Sequence, residues 1–214
     1  MSESSASLLS LSPVIPVVVV ETPAQGVSVS KALVAGGIKV IEMTLRTEAG
    51  LEAIRAITAE VPEIVVGAGT VTTPERAKQS LEAGAKFLVS PGATPTLLAA
   101  MADTGLPFLP GTATVSEVLT VLEAGITEMK FFPAESSGGA PYLASLPTVT
   151  PDARFCPTGG LTLANAPSYL KLPNVGCVGG SWLTPADALA AGDWDRVTAL
   201  AAGAATLTGA AALA

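Results

Sequence analysis

The sequence contains no histidine. That single absence removes whole mechanisms. Neither a Ser-His-Asp nor a Cys-His nucleophile pair can be assembled, and a zinc site that depends on imidazole is excluded. Proton transfer must fall to Glu, Asp, Lys, Tyr or water. Cysteine is nearly as scarce, with only Cys156 and Cys177. Both lie in stretches that read as buried strands, so they are expected to be small core residues in a reducing cytoplasm, not a disulfide. Charged residues make up 14% of the chain, and the net charge is −7 without a basic tract, which argues against nucleic acid as a partner. Apolar residues reach 49%, yet no apolar run approaches the ~20 residues needed to cross a bilayer. The longest strand-like run, Val17 to Val20 after Val14-Ile15-Pro16, is strand-sized, so no membrane association is expected. Residues 1–12 have no positive n-region and no clear signal core. They read as a disordered or loosely helical lead-in to a single domain over residues 13–214, without linkers or low-complexity tracts.

What is present is alternation. Apolar, β-branched runs take turns with Ala- and Leu-rich amphipathic segments. Strands are expected near 14–20, 38–43, 64–67, 86–90, 107–109, 127–132, 154–156 and 176–178. Helices are expected near 27–35, 47–60, 95–102, 115–124, 141–145 and 163–170, with another opened by Thr73-Pro74-Glu75 and Ala-rich helices at the end. Thr47 is a plausible N-cap for the helix that follows it. Near-continuous apolar strands suit a parallel sheet covered on both faces. Eight strand–helix alternations predict an α/β chain forming a single (β/α)8 TIM barrel over an open doubly wound sheet. An internal repeat supports this, because Leu33-Val-Ala-Gly36, Leu81-Glu-Ala-Gly84 and Leu122-Glu-Ala-Gly125 each end a helix and lead into strands two, four and six.

In such barrels the chemistry lies at the C-terminal ends of the strands and in the loops after them. That rule sorts the cations. Lys39 and Lys86 sit at strand starts, Lys31 and Lys78 on helices, and Lys171 follows a helix. Lys130, in Glu128-Met-Lys-Phe-Phe-Pro133, is the lysine at a C-terminal strand end, among apolar neighbours. A buried ammonium without a partner is costly. It is either half of a buried ion pair, most simply with Glu42, or an amine nucleophile with a carboxylate to move its protons. Glu42 ends strand two on the same face, and Arg46 follows in the loop as a bidentate carboxylate binder. Hydroxyls are the other nucleophile candidates on that face, and they lack a histidine to activate them. Glu135 is also on this face, in a loop where it could be solvated. The loops after strands seven and eight, Pro157-Thr-Gly-Gly160 and Gly179-Gly-Ser-Trp182, stand where barrels commonly hold a phosphate on backbone N–H groups near a helix N-terminus. Two sharp turns would need the same glycines.

Taken together, Glu42-Met-Thr-Leu-Arg46, Val66-Gly-Ala-Gly-Thr70, Val89-Ser-Pro-Gly92, Lys130-Phe-Phe-Pro-Ala-Glu135, Arg154-Phe-Cys-Pro-Thr-Gly-Gly160 and Gly179-Gly-Ser-Trp182 resemble the 2-keto-3-deoxy-6-phosphogluconate (KDPG) aldolases. These are also active as 4-hydroxy-2-oxoglutarate (KHG) aldolases. The resemblance runs from about Pro13 to Trp182 and implies a metal-free, cofactor-free class I lyase, commonly a homotrimer, working on small keto acids. It implies that Lys130 is the Schiff-base lysine and Glu42 the general acid/base. Arg46 and Thr70 would bind the pyruvate carboxylate. Thr158 would touch the hydroxylated middle of the substrate, and Gly159, Gly160, Gly180 and Ser181 would hold the distal phosphate. Three rivals remain at this point. They are a related aldolase for the galactonate epimer or an unphosphorylated acid, a sugar-phosphate isomerase or epimerase barrel that forms no imine, and a barrel that only binds a phosphorylated ligand.

Overall fold

The computed structural model describes residues 7–208. Residues 1–6 of the expected lead-in, and the last six residues, lie outside the described part. The lead-in's remainder forms a 3-10 turn, Leu8–Ser10, whose Leu8 and Leu9 are buried. It is tied down by Glu128, which accepts a hydrogen bond from the Ser7 hydroxyl and one from the Leu8 N–H at 3.1 Å.

Nine short strands follow one another in parallel. They are β1 (Val14–Val18), β2 (Val40–Thr44), β3 (Val65–Gly69), β4 (Leu88–Val89), β5 (Phe108–Leu109), β6 (Gly111–Thr112), β7 (Glu128–Phe131), β8 (Arg154–Pro157) and β9 (Val178–Gly180). Six hydrogen-bond in the order β5-β4-β3-β2-β1-β9 and three in the order β6-β7-β8. Pro110 is all that separates β5 from β6. Its carbonyl still accepts from the Lys130 N–H at 2.9 Å, but with no N–H of its own it interrupts the ladder. At the other junction, Phe155 pairs with Val175 and Thr158 with Gly179 through isolated bridges. The result is a curled parallel sheet with its core inside, and β1 and β2 are buried at every position.

Nine helices cover it among the described residues: α1 (Pro23–Ala35), α2 (Gly50–Glu60), α3 (Pro74–Glu82), α4 (Pro95–Asp103), α5 (Val115–Glu123), α6 (Gly139–Ser145), α7 (Ala166–Leu170), α8 (Ala186–Ala191) and α9 (Trp194–Ala205). A Thr-Pro pair opens three of them. Thr22, Thr73 and Thr94 each accept the N–H three residues on, and the following proline occupies a position that needs no donor. Thr114 and Glu117 form a full capping box on α5. Of these, the sequence had singled out only the Thr73 start. None of the helices is long and apolar enough to cross a membrane.

Three expectations need correction. Thr47 caps nothing. The α2 helix begins at Gly50, and the Thr47 hydroxyl donates instead to the Val20 carbonyl at 2.6 Å. The last strand is shifted two residues along, so Gly179 and Gly180 belong to β9 and pair with Ile15 and Pro16. Finally, Glu42 does not end its strand; β2 continues to Thr44. Cys156 and Cys177 are both free and buried. The Cys177 thiol, hydrogen-bonded by Cys156 and removed from water, is held well above its ordinary pKa.

Candidate active site

The site begins with two strands that are not sheet neighbours. β7 carries Lys130, aligned with Gly111 on one side and Cys156 on the other. β2 carries Glu42, aligned with Val17 and Gly67. Curling of the sheet brings their side chains together across its interior. Lys130 Nζ lies 3.2 Å from Glu42 Oε1 and 3.5 Å from Oε2. Lys130 is 5% exposed and Glu42 3% exposed. Burial of either charge alone would be costly, so each requires the other. The Phe132 ring lies under the ammonium, with Nζ 5.3 Å from the ring centre; a cation over a ring face gains further attraction.

The neighbours of Glu42 make its placement narrow. An added Cβ at Gly69 would stand 2.2 Å from Glu42 Oε1, and one at Gly67 2.3 Å from the Phe87 ring. Strand β3 therefore presents bare backbone to the carboxylate. Directly after it, Thr70 adopts φ +60°. For a β-branched residue this is a strained conformation, found where surrounding structure enforces it. It sets Thr70 on the rim beside the Glu42–Gly69 contact.

Arg46 extends from the loop after β2. That loop is fastened at several points: the Leu45 N–H donates to the Gly69 carbonyl at 2.9 Å, the Arg76 guanidinium donates to the Leu45 carbonyl, and Thr47 is fixed as described. Arg46 then lines one small cavity with Val17, Phe132, Thr158, Gly159, Gly160, Leu161, Gly179, Gly180 and Ser181. Val17 and Ser181 also line a second, wider cavity of about 600 Å³, bordered by Glu21, Gln25 and Thr184.

The glycine end is shaped by close approach. Gly159 (φ +103°) and Gly160 (φ +78°) hold left-handed backbone that other residues rarely adopt. A Cβ at Gly179 would fall 2.1 Å from Thr158 Oγ1, and one at Gly180 1.7 Å from the Trp182 ring. Thr158 is buried, and its hydroxyl donates to the Cys156 carbonyl at 3.3 Å. The helices after these loops are short, and segments 161–165 and 182–185 intervene before them. Backbone N–H groups, not a helix end, are therefore what this face offers an anion.

The structure thus gathers Arg46, Thr158, Gly159, Gly160, Gly180 and Ser181 around one cavity. It links Lys130 to that cavity through Phe132, and Glu42 to Lys130. Thr70, half-buried directly after β3, is not among the residues that line this cavity. Phe132 was quoted in a motif and given no part; its place two residues after a buried lysine in an extended segment, hence on the same side, was the available signal. Glu135 is exposed, as expected, at the start of the 3-10 turn Glu135–Ser137, and its carboxylate accepts a hydrogen bond from the Tyr169 hydroxyl.

With that geometry in hand, the chain can be set beside known proteins. A family model described as KDPG and KHG aldolase matches residues 6–200. The KHG/KDPG aldolase of Escherichia coli K12 is 52% identical over 198 residues, covering 92% of this chain and 93% of that protein. A KDPG aldolase from Legionella pneumophila, solved with pyruvate captured as a covalent carbinolamine, superposes with a TM-score of 0.90 at 42% identity, covering 92% of this chain and 96% of its own. The Zymomonas mobilis KDPG aldolase, solved with 3-phosphoglycerate, gives 0.89 at 46% identity, covering 95% of both chains.

Proposed function

This chain belongs to the KDPG and KHG aldolase family, and from that premise we propose that it is a Schiff-base aldolase. It cleaves 2-keto-3-deoxy-6-phosphogluconate to pyruvate and glyceraldehyde 3-phosphate, and 4-hydroxy-2-oxoglutarate to pyruvate and glyoxylate. The observation that carries this reading is the buried Lys130–Glu42 pair at 3.2 Å, next to Phe132, which lines a cavity together with Arg46 and the glycine loops. The carbinolamine formed with pyruvate in the Legionella relative supports it.

The chemistry follows from the pair. Lys130 passes a proton to Glu42 and attacks the C2 ketone as a neutral amine. The carbinolamine loses water to give an iminium, while Arg46 and Thr70 hold the adjacent carboxylate. Glu42, directly or through a water, removes the C4 hydroxyl proton. The C3–C4 bond breaks, its electrons enter the iminium, and the aldehyde leaves. A neutral enamine remains in place of a free carbanion. Protonation at C3 and hydrolysis release pyruvate and restore the amine. General acid–base help of this kind is worth about 10²–10⁴ in rate. Thr158 faces the hydroxylated middle of the substrate. Gly159, Gly160, Gly180 and Ser181 receive the phosphate on backbone N–H groups and a hydroxyl.

The same reading assigns residues 13–214 to one closed (β/α)8 barrel behind a lead-in of residues 1–12. The two bridges between segments 155–158 and 175–179, and the single proline between β5 and β6, support that closure. It also assigns a homotrimer in the cytoplasm, as the family resemblance implies. No cofactor or metal takes part. A coupled assay of pyruvate release from KDPG, run with EDTA and compared with the galactonate epimer and KHG, tests the assignment. Undiminished release that is fastest on KDPG is expected. Release that requires a metal, or no release from any of the three acids, would contradict it.

A further inference from the structure

One polar pair next to the glycine loop, the buried Tyr169 and the exposed Glu135, takes no part in the proposed chemistry. The loop after β7 is stitched to the loop after β8: the Ala134 N–H donates to the Thr158 carbonyl at 2.8 Å, and the Glu135 N–H to the Gly159 carbonyl at 3.1 Å. This lays the Glu135 side chain on Gly160. A Cβ at Gly160 would come 2.7 Å from Glu135 Cγ and 2.8 Å from its Cβ. The carboxylate is therefore within a short swing of the loop, and among the described residues no salt bridge neutralises it. What holds it is Tyr169. This residue is 1% exposed, sits on α7, the next helix after the same loop, and donates its hydroxyl to Glu135 Oε1. Gly139, at φ +63°, leaves room for the contact; a Cβ there would stand 3.3 Å from the Tyr169 hydroxyl and 3.7 Å from Glu135 Oε1. Burial first, and then the bond to Glu135, push the ionisation of the phenol well above its usual value, so it keeps the proton that it donates.

We propose that Tyr169 is a positioning residue that holds the Glu135 carboxylate away from the Gly159-Gly160 loop and thereby sets affinity for the phosphorylated end of the substrate. The inference rests on that loop being the phosphate site. A carboxylate released beside a phosphate dianion repels it, and the repulsion is screened by salt. KHG ends in a C5 carboxylate, a single charge that stops short of the phosphate position, so it responds less to the swing than the phosphate dianion does.

The test is steady-state kinetics on KDPG and KHG for the native enzyme, Tyr169→Phe, Glu135→Gln, the double variant and Ser181→Ala. Loss of a hydrogen bond to a charged group is expected to raise KM for KDPG about tenfold in Tyr169→Phe, with KM for KHG changed less than about twofold. The rise should shrink as salt is added. The double variant, which has no charge to release, should return KM for KDPG to near the native value. Glu135→Gln alone should leave it equal or lower, an outcome that remains readable if Tyr169→Phe folds poorly. Equal KM increases on both substrates, a double variant as impaired as Tyr169→Phe, or a higher KM for KDPG in Glu135→Gln would overturn the proposal. Ser181→Ala separates its failure from failure of the premise. If Ser181→Ala weakens KDPG selectively while Tyr169→Phe does not, the loop holds phosphate and the positioning role is wrong. If Ser181→Ala affects both substrates equally, the phosphate site falls and the positioning role falls with it.

Discussion

The buried ion pair and the glycine-lined cavity beside it are built from different materials. At the amine end, charged side chains face each other out of water: Lys130 and Glu42 are both buried, and the Phe132 ring lies under the ammonium. The substrate there meets side-chain atoms whose positions depend on their partners. At the other end, Gly159, Gly160, Gly179 and Gly180 present backbone, with Thr158 and Ser181 as the side-chain hydroxyls. The difference teaches where substitutions act. Removing a group at the amine end should remove chemistry and lower kcat. Changing the glycine end should alter binding of the phosphate, and it should do so by adding atoms as readily as by removing them.

The largest effect should come from Lys130→Ala, which leaves no detectable turnover on KDPG or KHG. It should also cost about 3–5 kcal/mol of stability, because Glu42 is left buried without its partner. Chemical denaturation measures that cost, and adding Glu42→Gln should recover much of it. Next in size is Glu42→Gln by itself, for which kcat should fall about 10²–10⁴ with little change in KM. Gly69→Ala sharpens the same point. Its new Cβ, 2.2 Å from Glu42 Oε1, should displace the carboxylate and lower kcat without replacing any catalytic group. A Gly69→Ala enzyme with normal kcat and raised KM would break the contrast between the two ends. Ser181→Ala belongs to the other end. The loss should be about tenfold in KM on KDPG, with little change on KHG. The smallest effect is conformational. Thr70→Gly should relieve the φ of +60° and raise stability by about 1 kcal/mol, while loss of the hydroxyl weakens pyruvate binding. A destabilised Thr70→Gly would show that the side chain, not its backbone, dominates at that rim.

The sequence was most informative where burial and helix starts leave local marks. Lys130 stood out because a cation in a run of apolar strand residues is rare, and alternation placed its strand correctly. The Thr-Pro starts were also visible in principle, since Thr22-Pro23 and Thr94-Pro95 carry the same signal as Thr73-Pro74. The errors have a common physical origin. Gly179 and Gly180 look like a loop because they lack side chains, yet that absence lets β9 lie against Thr158 and Trp182 while still pairing with β1. Thr47 looks like a cap because a cap is defined locally, whereas its hydroxyl is used by Val20, far away in the chain. The Tyr169–Glu135 pair joins residues 34 positions apart, and no local pattern announces such a contact.

Reductive trapping shows whether Lys130 forms the covalent bond to substrate. Borohydride is added with pyruvate, followed by mass spectrometry of the digested protein. The account predicts a stable added mass on the peptide that contains Lys130 and none on Lys31, Lys39, Lys78, Lys86 or Lys171. Label on one of those lysines, or no label on an enzyme that is turning over KDPG, would contradict it.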